Sequence, residues 1–83
     1  MAMHLVFSVN GWKACEPCTS ADDIIVLMGD GVYATPKQQV YAIADDLQVR
    51  GMFNNTNPSM ISISYDDFVS LTESHHPSIS WND

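Results

Sequence analysis

Cys15-Glu16-Pro17-Cys18 is the stretch in which residue type and spacing together suggest covalent chemistry. A C-x-x-C placed after a strand, with its second cysteine opening a helix, has a thiol acidified by the helix N-terminus and supports disulfide exchange. Pro17 suits a first helical position, so Cys18 is the expected start of that helix. Used as a pair, Cys15 and Cys18 would make a dithiol oxidoreductase.

Two other places compete for attention. Asp30 and Gly31 follow an apolar run and stand where open α/β sheets place ligands, outside a strand's carboxyl end. A glycine-flanked aspartate is equally ordinary turn chemistry. His75-His76 invites a metal reading, but adjacent histidines point in different directions, and no cysteine, histidine or carboxylate pattern nearby completes a site. No metal and no cofactor is expected. Trp12 and Trp81 read as packing or interface anchors. No Ser/His/Asp nucleophile motif, phosphate-binding glycine loop or dinucleotide fingerprint is present.

The elements that must position these residues alternate. His4 to Val9 reads as a first strand closed by the turn signal Asn10-Gly11. Ile24 to Met28 is a continuous apolar run, as expected of a strand covered on both faces. Gly29-Asp30-Gly31 ends it, and a helical turn through Val32 to Ala34 is cut by Thr35-Pro36. Val40 to Ile43 is a third strand, reached by a connection between Ala34 and Val40 that is short for a parallel crossover. Either a helix is reduced to a turn there, or one sheet face is open and needs a partner. Asp45 or Asp46 caps a helix that stops at Arg50-Gly51. Phe53 to Ser59 is a polar loop. Met60 to Ser64 is a half-exposed fourth strand, and a last helix sets Tyr65, Phe68, Val69 and Thr72 on one face. The tail, 75–83, lacks a helix pattern and is expected to be irregular, docked by Ile79 and Trp81. Short apolar runs followed by helix-period segments define a small three-layer α/β domain with a largely parallel sheet of about four strands. One domain spans 1–83.

With 83 residues, 46% apolar and only 16% charged, the chain is near the lower limit for a core that stands alone. A subunit with a buried interface fits better than a free monomer. The formal charge is −7, with Lys13, Lys37 and Arg50 the only Lys or Arg. Phosphate binding needs clustered cations, so direct nucleic-acid binding is not expected. No apolar stretch approaches the ~20 residues that span a bilayer, and Met1-Ala2-Met3-His4 has no basic n-region. The expectation is a cytoplasmic protein with reduced thiols and no membrane contact. Met1-Ala2 reads as an expression-derived addition before a natural start at Met3.

The segments Asp23 to Ala34, Val40 to Gly51 and Ile61 to Thr72, with the ending His76-Pro77-Ser78-Ile79-Ser80-Trp81, resemble the DsrH/TusB family of DsrE/F/H-like sulfur relay proteins. The resemblance covers roughly 23–81. It implies a non-catalytic or accessory subunit of a sulfurtransferase complex. Sister DsrE/TusD-like and DsrF/TusC-like chains would join it in a heterohexamer, taking persulfide sulfur from an upstream carrier. Sulfur would pass toward 2-thiolation of the tRNA wobble uridine or, in another branch, serve dissimilatory sulfur oxidation. Alone, the chain would form homo-oligomers. Some family members carry a cysteine about fifteen residues ahead of the strand-end Asp-Gly pair, the place of Cys15 relative to Asp30. That makes Cys15 a candidate persulfide carrier, provided its thiol is accessible and nucleophilic. Asp30 and Gly31 then acquire an interface or site-shaping role. Residues 5–18 also have a glutaredoxin-like look, with Asn57-Pro58 as the facing proline, although the remaining segments do not follow that order. A purely structural interaction subunit is the third reading.

Overall fold

A computed structural model describes residues 2–51, 58–75 and 77–82. Five strands, β1 (Met3–Val6), β2 (Ile24–Leu27), β3 (Val40–Ile43), β4 (Met60–Ile63) and β5 (Ser78–Trp81), form one sheet in the order β4-β3-β2-β1-β5. Every pairing is parallel. Among the described residues three helices accompany them: α1 (Val9–Cys15), α2 (Ala44–Val49) and α3 (Tyr65–Ser74). Short 3₁₀ turns occupy Glu16–Cys18 and Gly29–Tyr33. The α/β class and the parallel sheet expected from the apolar runs are what the chain adopts.

Side chains alternate along each strand, so two apolar cores form on opposite faces. Val6, Ile25, Leu27, Val40 and Ala42 face Trp12, Cys15, Val32 and Leu47, which come from α1, the 29–33 turn and α2. Met3, Val26 and Ile43 face Phe68 of α3 on the other side. The chain walks from β1 to β4 in one direction, and right-handed crossovers put α1, the 3₁₀ turn and α2 on one face. The return from β4 to β5 crosses the sheet in the opposite sense, which leaves α3 on the other. The short connection before Val40 is therefore a helix reduced to a 3₁₀ turn.

Five expectations are corrected. Asn10-Gly11 does not turn the chain but lies inside α1. Ser8 caps that helix by accepting from the Gly11 N–H at 2.9 Å. Gly11 is there for space, since a Cβ would run into the Trp81 carbonyl. The helix also precedes Pro17 rather than starting at Cys18, which ends the 3₁₀ turn. The tail forms β5: Met3 N–H donates to the Pro77 carbonyl and Phe7 N–H to the Trp81 carbonyl, each at 3.0 Å. Neither Asp45 nor Asp46 caps α2; Ile43 is its N-cap residue, without a side-chain bond. On α3, Phe68 is buried whereas Tyr65 is 56% and Val69 38% exposed, so the apolar residues expected on one face are divided between core and surface. Most of the Phe53–Ser59 loop, His76 and Asn57 lie outside the described residues.

Candidate functional site

Cys15 sits in the last turn of α1, fully buried against the core beneath that helix. Burial pushes its thiol up to about 11, and the nearby Cys18, Asp23 and Glu16 act in the same direction. The last turn is also the negative end of the helix, the opposite of the N-terminal setting that favours thiolate. Cys18 is exposed, and both thiols are free. The structure thus separates the pair into one core side chain and one surface side chain.

Asp30 and Gly31 lie in the 29–33 turn beyond the carboxyl end of β2, and each has a specific role there. Gly31 packs so closely on β1 that a Cβ would fall on the Val6 carbonyl. Gly29 holds φ at +53°, a left-handed value that glycine takes without cost. Asp30 Oδ1 accepts from Arg50 Nε and Nη2, both at 3.1 Å. Arg50 Nη1 also donates to the Asp46 carbonyl at 3.2 Å, and Asp46 Oδ2 accepts from the Gly29 N–H at 2.9 Å. Arg50 and Asp46 thereby fasten α2 to the turn. Asp30 remains largely exposed, so its pair with Arg50 contributes at most ~1 kcal/mol.

The third cluster escaped sequence reasoning because its members are far apart in the chain. His4 is buried on the α1 side of β1, with Nε2 2.8 Å from Asp23 Oδ2. Its Nδ1 accepts from Trp81 Nε1 at 3.0 Å. Asp23 further accepts from the Ser20 and Ala2 N–H groups at 3.0 and 2.9 Å. The hydrogen bond from His4, then those two backbone bonds, hold the Asp23 carboxyl well below the usual carboxylate range. Both histidine nitrogens are committed, leaving none to act as a base toward Cys15. A buried polar residue at position 4 of an otherwise apolar strand was the available signal.

An open cavity of about 490 Å³ lies at the amino ends of β2 and β3, lined by Thr19, Ser20, Gln38, Gln39 and Tyr41 among others. It sits at the end of the sheet opposite Asp30. Among the described residues no group of histidine, cysteine or carboxylate side chains is arranged to hold a metal ion. No described helix is long and apolar enough to cross a membrane. His75 turns its Nδ1–H to the Leu71 carbonyl at 3.1 Å, closing α3.

In this parallel sheet domain His4, Asp23 and Trp81 tie β1, β2 and β5 together, and Asp30, Asp46 and Arg50 tie α2 to the turn after β2. That defines a small α/β domain built on a parallel sheet. The family model described as DsrH like protein matches residues 6–78. Protein TusB of Serratia proteamaculans (strain 568) is 33% identical over 75 residues, 76% of this chain and 79% of that protein. Protein TusB of Buchnera aphidicola subsp. Baizongia pistaciae (strain Bp) is 33% identical, covering 95% of each chain. Protein TusB of Escherichia coli O81 (strain ED1a) is 34% identical over 74 residues. The chain belongs to the DsrH family.

Proposed function

We propose that this chain is an assembly subunit of a cytoplasmic sulfur relay complex with sister DsrE/TusD-like and DsrF/TusC-like chains, in which a sister chain carries the persulfide. Membership of the DsrH family over residues 6–78 is the observation that carries this reading. The relay accepts sulfane sulfur from an upstream carrier by thiolate attack, which moves one sulfur and frees the donor thiolate. It passes that sulfur toward 2-thiolation of the tRNA wobble uridine. The acidity of the chain supports a role apart from the tRNA itself, since three cations cannot neutralise a phosphate backbone.

Carriage on Cys15 and dithiol exchange between Cys15 and Cys18 both require an accessible, acidified Cys15. Its burial and raised pKa favour a packing role instead. Asp30 and Gly31 then shape the strand end on which α2 seats. Deleting the gene and quantifying 2-thiouridine at the tRNA wobble position tests the proposal. Loss of the modification, restored equally by wild type and Cys15→Ala, is the expected result. Unchanged 2-thiouridine after deletion would instead place the chain outside tRNA thiolation.

A further inference from the structure

The two sheet faces are unequally covered. Two helices and a 3₁₀ turn lie on one, whereas α3 alone lies on the other among the described residues. Five strands span about 19 Å at ~4.8 Å per step. One helix about 10 Å wide covers roughly half of that. Leu5, Ile24, Met28, Tyr41 and Ile63 consequently remain only partly buried around it. α3 itself carries apolar surface outward: Tyr65, 56% exposed, and Val69, 38% exposed, form a stripe at i and i+4. The Tyr65 ring stands 5.6 Å from that of Phe68, so this stripe is continuous with the core edge.

Charge identifies the occupant. Glu73 continues the stripe at i+8, in the last turn of α3, where the helix end disfavours a carboxylate and no basic residue is present. Asp66 and Asp67 stand exposed at the other end. Among the described residues no cation forms an ion pair with any of these three; the ion pairs there belong to Arg50 and His4. A second copy of this chain fits poorly. Antiparallel pairing of two α3 helices through this stripe would bring Glu73 toward Asp66, which lies on the same rim of the helix, and parallel pairing would set Glu73 against its own copy.

We propose that the Tyr65–Val69–Glu73 stripe of α3 is a heterologous docking surface, which receives a different chain presenting an apolar residue flanked by Lys or Arg opposite Glu73. This rests on the relay-subunit reading, in which that chain is one of the two sister subunits. The test measures binding of the purified chain to its co-expressed sister subunits by calorimetry. It compares wild type, Val69→Asp, Glu73→Lys and the control Val49→Asp, whose site on α2 is 81% exposed. Circular dichroism establishes that each variant is folded. A tenfold or larger loss of affinity in Val69→Asp and Glu73→Lys, with the control unchanged, is the expected result. Equal binding by all variants would overturn the docking surface while leaving the relay reading intact. Absence of binding by wild type would remove both. A wild-type homodimer broken by Val69→Asp would overturn the heterologous assignment.

Discussion

Trp81 Nε1 donates to Nδ1 of His4 at 3.0 Å, joining residues 77 positions apart in the chain. An indole N–H only donates, so Nδ1 must be unprotonated and the histidine proton sits on Nε2, toward Asp23. The contact clasps β5 to β1 from the side, adding to the backbone ladder between them. Trp81→Phe keeps most of the apolar contact but strands a buried acceptor, a loss of ~1–3 kcal/mol. Denaturant unfolding checks the magnitude, and nitrogen chemical shifts of His4 check the tautomer.

Asp23 gives a prediction with a defined sign. Its carboxyl is held below the ordinary range by His4 and two backbone N–H groups. The stabilisation is present above the unfolded-state pKa, near 4, and is lost as pH falls through the lower folded value. Asp23→Asn removes the charge, so its stability deficit relative to wild type is full at neutral pH and shrinks on acidification below pH ~4. Thermal unfolding across that range reads the difference.

Cys15 titrates in the opposite sense. Its thiol keeps its proton up to about 11 in the folded chain, against an ordinary value of 9.0. Stability is therefore full below pH 9 and falls as pH rises toward 11. Cys15→Ala is expected to flatten that part of the alkaline decline. In native protein a thiol reagent should modify Cys18 quickly and Cys15 only at the rate of opening.

Gly31 and Gly11 both make room for a carbonyl, of Val6 and Trp81 respectively. Alanine at either position forces strands and helices apart, at a cost of ~1–3 kcal/mol or more. Gly51 has no neighbour within reach of a Cβ, and its φ of +69° alone opposes substitution. Gly51→Ala is expected to cost only ~1 kcal/mol. Unfolding free energies of the three variants test that order.

The sheet was legible where burial on both faces makes a strand continuously apolar, as in Ile24–Leu27 and Val40–Ile43. β5 was not, because Ser78 and Ser80 lie beside Met3 and Leu5 at an edge, where polar residues are tolerated and the alternation is only four residues long. α1 was hidden by Asn10-Gly11, whose turn preference yields to the Ser8 cap and to the close approach of Trp81. Asp30-Gly31 was recognisable as a strand-end element, but its purpose depends on Val6 and Arg50, which no local pattern connects to it. Likewise a C-x-x-C spacing cannot say whether the first thiol faces solvent or the sheet; that is settled by which side of α1 carries Trp12 and Cys15 inward. Asp46 was identified as a helix-cap acceptor, yet its bond goes across to Gly29.

In the proposed role this subunit supports a sulfur relay without itself holding sulfur. Intact-mass spectrometry of the reduced protein, after incubation with a cysteine desulfurase and cysteine, tests it most directly. Within the assembled complex, the expected result is an added sulfur atom on a sister chain and none on Cys15. An added sulfur on this chain, lost in Cys15→Ser and retained in Cys18→Ser, would contradict the account.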